Sequence, residues 1–170
     1  MRKVIALLAG LAVLAFVNVS IHQRETLLTE GKVVLLELAP VDPRSLMQGD
    51  YMALDFAAAR VLRDQHHQRK VPQDGRIVLR LDARGVGSLA RVDQGTQGTP
   101  LAPNEVMLRY RIRDRQPRFG TNAFFFQEGT AERYASARYG EFRVAADGEA
   151  ILTGLRGADL RGLGANRPEP

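Results

Sequence analysis

The apolar positions of the chain fall into one long run followed by a series of short, mostly alternating ones. Val4 to Val17 is interrupted only by Gly10, and the run continues through Asn18, Val19 and Ser20 to Ile21. As a helix these residues span roughly 27 Å, just enough for a hydrocarbon core of about 30 Å. Arg2 and Lys3 precede the run, whereas Arg24 and Glu25 cancel on its far side. The basic excess should stay inside, so the rest of the chain is expected on the extracytoplasmic face. The alternative is a cleaved signal peptide, but Asn18-Val19-Ser20-Ile21-His22 is a poor match to an Ala-x-Ala cleavage site, so an uncleaved anchor is expected.

Past this segment the pattern shortens. Val33-Val34-Leu35-Leu36-Glu37-Leu38, closed by Pro40 and Pro43, predicts a buried strand. Tyr51 to Ala58 predicts a second, while Ala57 to Lys70 is compatible with strand, helix or loop. From Arg76 the alternation is clear, with Ile77, Leu79 and Leu81 on one face. A turn at Gly85 and Gly87 then leads to a return strand over Ser88 to Val92. Glu105 to Arg115 has the cleanest period of two: Val106, Leu108, Tyr110 and Ile112 point one way, Arg109, Arg111, Arg113 and Arg115 the other. Phe119 to Phe126 predicts a further strand. A helix is expected from Thr130 to Gly140, and a hairpin over Glu141 to Val144 and Ala150 to Thr153, with a type I′ turn at Asp147-Gly148.

These elements predict a mainly β, β-rich α+β fold: an N-terminal transmembrane helix and one sandwich or open-barrel domain of about eight short strands with one short helix. The expected divisions are 1–21 for the anchor with its N-terminus inside, 22–31 for a juxtamembrane linker, 32–163 for the folded domain and 164–170 for a disordered tail.

Composition narrows the chemistry. The absence of cysteine removes disulfides, thiolate metal sites, a cysteine nucleophile and a lipidated cysteine, so attachment depends on the apolar segment itself. Without Arg2 and Lys3 the chain has 22 basic and 19 acidic residues, too even a balance to argue for nucleic acid. His66 and His67 are adjacent, which directs their rings apart; neither a metal nor a cofactor is expected. No Gly-x-Ser-x-Gly occurs, and no catalytic set is recognised.

The most distinctive window is Gly49-Asp50-Tyr51-Met52-Ala53-Leu54-Asp55-Phe56. It resembles the signature Gly-Asp-Tyr-x-x-Leu-x-Tyr of the GDYXXLXY family of small, membrane-anchored bacterial proteins, departing at the last position, where Phe56 replaces tyrosine. Ala39-Pro40-Val41-Asp42-Pro43-Arg44, Glu128-Gly129 and Ala137-Arg138-Tyr139-Gly140-Glu141 extend the likeness. The resemblance implies a single-pass protein of the bacterial inner membrane with a periplasmic domain of no established reaction, a companion to a multi-spanning membrane protein. A structural reading gives Gly49 and Asp50 a tight turn and makes Tyr51, Leu54 and Phe56 core anchors, with a bulge near Met52-Ala53.

The rival reading gathers Asp50, Tyr51, Glu128, Arg138 and Tyr139 into a polar site, with Asp50, Asp55 and Glu128 as acid/base candidates and Glu141 within the matching segment. Three functions follow as expectations. The first is a non-enzymatic accessory of an integral membrane protein, the second an extracytoplasmic enzyme or ligand-binding domain using Asp50 and Glu128, and the third a module docking on the bilayer through its arginine-rich strand.

Overall fold

The computed structural model describes residues 2–39, 47–48, 51–68, 70–93 and 100–164. The apolar run is a single helix, α1 (Arg2–Glu30), rich in leucine and alanine and free of proline. Lys3–Glu30 is long and apolar enough to cross a membrane, with none of its most apolar stretch buried by the rest of the chain. The segment expected as a linker therefore continues the helix almost to Gly31, whose N–H bonds to the Leu27 carbonyl at 3.0 Å.

Two sheets follow. The larger is built from β1 (Lys32–Glu37), β4 (Asp74–Leu81), β5 (Val86–Asp93), β6 (Glu105–Arg113), β7 (Gln116–Arg118), β9 (Tyr139–Val144), β10 (Ala150–Arg156) and β11 (Gly162–Leu163). Its order is β11-β10-β9-β1-β5-β4-β6-β7. β1 runs parallel to β5, with Leu35 opposite Val86, and antiparallel to β9, with Val34 opposite Phe142. The smaller sheet is β2 (Met47–Gln48), β3 (Tyr51–Ala53) and β8 (Ala123–Phe125), in the order β2-β3-β8. The larger sheet curls without closing into a barrel. One backbone bond, from the Arg109 N–H to the Gly148 carbonyl at 2.8 Å, joins the β9–β10 loop to β6.

The alternation predicted for β4 and β6 is observed where it matters: Ile77, Leu79, Leu108, Tyr110 and Ile112 are buried, and Leu81 packs beside them. Val34, Leu36, Phe142 and Leu155 join the same core, as do Phe56, Leu62 and Phe119 from outside the sheet. Fully burying a side chain of this size contributes about 1.5–3 kcal/mol. The undecided segment is helix α2 (Ala57–His67), which buries Ala58, Ala59 and Leu62 and packs on β1 and β7.

Several local expectations change. The strand expected over Tyr51 to Ala58 ends at Ala53, because Phe56 caps α2 with an extended backbone and a single bridge to Leu38. Of Phe119 to Phe126 only Ala123–Phe125 is strand. The helix expected from Thr130 is a four-residue 3-10 turn, Ala131–Tyr134. The Thr130 hydroxyl donates to the Gln127 carbonyl instead of capping, and Tyr134 is held between Phe124 and Phe126. β9 then begins before Gly140, because pairing with β1 claims that stretch as strand.

The two hairpin turns also exchange characters. Asp147-Gly148 belongs to a three-residue loop in which Gly148 alone of the pair has positive φ (87°), with Gly148 N–H bonded to Ala145 at 3.0 Å. The turn with two positive φ values is Asp114-Arg115 (53° and 62°), joining β6 to β7, so Arg115 leaves the arginine row. The predicted tail beyond residue 164 lies outside the described residues.

Candidate functional site

The signature strand organises the most concave part of the surface. Gly49 and Asp50 lie outside the described residues, as does 40–46. From Tyr51 the alternation is regular: Met52, Leu54 and Phe56 are buried, whereas Tyr51, Ala53 and Asp55 face the other way. No bulge interrupts the pairing of β3 with β8, where Tyr51 stands opposite Phe125 and Ala53 opposite Ala123. Met52, not Tyr51, is thus the first core anchor. The Tyr51 ring instead lies 5.7 Å from that of Phe125, which is itself 73% exposed on the outermost strand.

Phe56, the position that departs from the signature, is fully buried with its ring 5.4 Å from Phe142 and 6.0 Å from Phe119. Gly140 follows from the same packing, since a Cβ there would come within 2.8 Å of Phe56 Cε1. The late Arg138-Tyr139-Gly140 segment is therefore fitted to the signature through contact. The backbones agree: Leu38 N–H bonds to the Arg138 carbonyl and Ala39 N–H to that of Asp55, each at 2.8 Å.

Two cavities share Ala53, Leu54 and Asp55 as a common wall. The larger, of ≈1000 Å³, is lined among others by Met52, Tyr134, Arg138, Gly157 and Leu163. The smaller, of ≈530 Å³, is lined by Asp55, Arg60, Arg63, Gln116 and Asn122 among others. Asp55 accepts from Arg60 Nε at 3.1 Å and from Arg63 at 3.0 Å, and Arg63 also donates to Gln116. Arg63 Nε and Asn122 Oδ1, both lining this cavity, are buried without a hydrogen-bond partner among the described residues. Arg60, Arg63 and Asn122 were not foreseen. Recognising α2 would have placed the two arginines one turn apart and next to Asp55.

The remaining candidates disperse. Glu128 is exposed beside Gly129 and lines neither cavity, so it does not meet Arg138 there. Tyr139 is half-buried on β9. Glu141 bonds to Arg156 and Thr153 across β9 and β10, a pairing that holds strands together. His66 Nδ1 lies 3.2 Å from the Val71 carbonyl and His67 is exposed. No group of three or more histidine, aspartate or glutamate side chains gathers among the described residues.

Among the described residues the best-buried carboxylate is Glu105, outside both cavities. Arg91 donates to both its oxygens at 2.8 Å, the Ala102 N–H to one at 3.3 Å, and Arg80 lies 3.5 Å away. The Arg91 hydrogen bonds foremost, then that of Ala102, hold its carboxyl below the usual glutamate range.

The profile of one family, described as GDYXXLXY protein, matches residues 13–155. No curated protein and no solved structure matches the chain.

Proposed function

The chain belongs to the GDYXXLXY family, and on that premise we propose that it is a single-pass protein of the bacterial inner membrane whose periplasmic β-rich domain serves, without catalysing a reaction, as an accessory to an integral membrane protein. The observation that carries this is the bare apolar helix. From Val4 to Ile21 its large side chains are 43–73% exposed, and nothing among the described residues covers them. A surface of that kind is stable in lipid and not in water. The basic residues at its start favour an internal N-terminus.

The accessory role draws on the signature strand itself. The small sheet ends in β8, whose Phe125 is exposed while backed by Tyr51, an aromatic pair on an edge strand of the kind that protein partners cover. Periplasm-dependent phosphatase fused after Pro170 is expected to be active, and activity of a cytosol-dependent reporter there would reverse the orientation. Affinity capture from solubilised membranes is expected to recover one multi-spanning protein with the wild type and much less of it with Phe125→Asp. Repeated recovery of the wild type alone would sink the accessory role.

A further inference from the structure

The wall of β6 and β7 carries a feature that the accessory role leaves unused. Arg109, Arg111 and Arg113 of β6, Arg118 of β7 and Arg24 of α1 surround a groove of ≈570 Å³, with Glu149 of the β9–β10 hairpin at its edge. Four of these guanidinium groups have a carboxylate nearby: Arg24 with Glu149 at 3.6 Å, Arg109 with Asp147 at 2.8 Å, Arg113 with Asp74 at 2.8 Å and Arg118 with Asp114 at 3.4 Å. All four pairs are solvent-exposed, and pairs of that kind hold their partners weakly. Arg111 has no ion pair or hydrogen bond from its side chain among the described residues.

Strand register concentrates the charge further. Arg111 stands directly opposite Arg118 on one side and Asp74 on the other, and Arg109 stands opposite Arg76, which lies 3.5 Å from Asp93. Like charges facing each other across a strand pair are destabilising, and an anion bound between Arg111 and Arg118 would relieve that local repulsion.

The groove's position says which anion. If the hydrocarbon boundary is near Ile21, Arg24 lies about 4.5 Å beyond it along the helix, within a headgroup layer of about 5–7 Å per leaflet. The domain does not stand clear of this level. Leu27 is buried against it, Arg143 donates to the Gly31 carbonyl at 3.1 Å, and Glu149 reaches Arg24.

We infer that the groove binds the phosphate of an anionic phospholipid from the leaflet on the domain's side, with Arg111 and Arg118 as its principal donors. Guanidinium groups bind phosphate through paired, charge-assisted hydrogen bonds, and the solvent-exposed carboxylates around the groove hold their arginines too weakly to exclude it. The inference rests on the proposed membrane anchoring and is independent of the accessory role.

The test uses the full-length protein in liposomes of phosphatidylcholine and phosphatidylglycerol, floated on a density gradient. The protein is then extracted in mild detergent, and its retained lipid is counted by native mass spectrometry. Wild type and the double variant Arg111→Gln/Arg118→Gln are both expected to float. Phosphatidylglycerol should be retained over phosphatidylcholine on the order of tenfold by the wild type and without preference by the variant. The variant's melting midpoint should stay close to that of the wild type, because removing the like-charge pair offsets the loss of the exposed Arg118–Asp114 pair.

Equal retention by the two proteins, or no preference in a wild type that floats, overturns the lipid site and leaves the anchoring intact. Failure to float overturns the anchoring itself. A clear fall in the variant's midpoint would assign the arginines to holding the fold and overturn the proposal. In phosphatidylcholine alone, saturable binding of inorganic phosphate that the variant loses would assign the groove to a soluble phosphate instead.

Discussion

Gly140 and Phe56 show how one residue's identity fixes another's. The β9 backbone at Gly140 lies so close to the Phe56 ring that a methyl group would fall 2.8 Å from Cε1, and 3.2 Å from Leu152 Cδ1. Gly140→Ala is therefore expected to lower stability by about 1–3 kcal/mol in urea unfolding, through overpacking. Phe56→Leu in the same chain should recover part of that loss, a coupling that independent sites would not show. Glu105 provides a pH test. Its folded carboxyl titrates below its unfolded one, so its contribution is complete above the ordinary value of 4.5 and is lost as pH falls through the lower folded value. Urea midpoints measured from pH 7 down to pH 3 should decline in the wild type. Glu105→Gln should start lower at pH 7, because Arg91 loses its anion, and should decline less. Leu54 and Phe56 were legible as core residues from the sequence. That Met52 and not Tyr51 shares their face was not, because Leu54 stands in phase with Met52 only if the strand runs without a bulge, and that was settled by pairing with β8.

At the scale of elements, legibility follows the strength of the local pattern. β4 and β6 have one face in the core, so their sequences alternate and their positions could be read directly. β2, β7, β8 and β11 are two or three residues long and exist because a neighbouring strand bonds to them. The 3-10 turn at Ala131–Tyr134 has capping and acidic signals proper to a longer helix. Burial of Tyr134 against two phenylalanines and the claim of β1 on the following residues outweigh them. The Asp114-Arg115 turn shows the converse, a backbone demanding two positive φ values, the second from Arg115, a residue that does not prefer it. The double substitution Asp114→Asn/Arg115→Gly, which writes an Asn-Gly turn at that point, should raise the urea midpoint by an equivalent of about 1 kcal/mol. The Arg118 pair lost with Asp114 is exposed and should offset little of this.

For the whole molecule, the decisive relation is between the N-terminal apolar helix and the domain. α1 continues to Glu30 and the β9–β10 hairpin leans against its last two turns, so the domain is docked on this helix and not suspended from it. The chain has no cysteine, which gives a clean background for a test. Arg24→Cys/Glu149→Cys in intact membranes should be joined within one molecule by a short bis-maleimide, detected as a gel shift at monomer size. Labelling of both cysteines without joining would mean the domain swings free. The sequence by itself determined the long apolar run, the β-rich class, the family and the inward faces of the long strands, because each is written in the local order of apolar and charged residues. Tertiary structure alone decided the rest: the parallel seat of β1 beside β5, the salt-bridged cavity around Asp55, the separation of Glu128 from the cavities, and the arginine groove beside Arg24. The seat of β1, the contact of Arg63 with Gln116 in that cavity and the arginine groove join residues tens of positions apart, and such neighbours are set by how the sheet curls on itself, which no local pattern encodes.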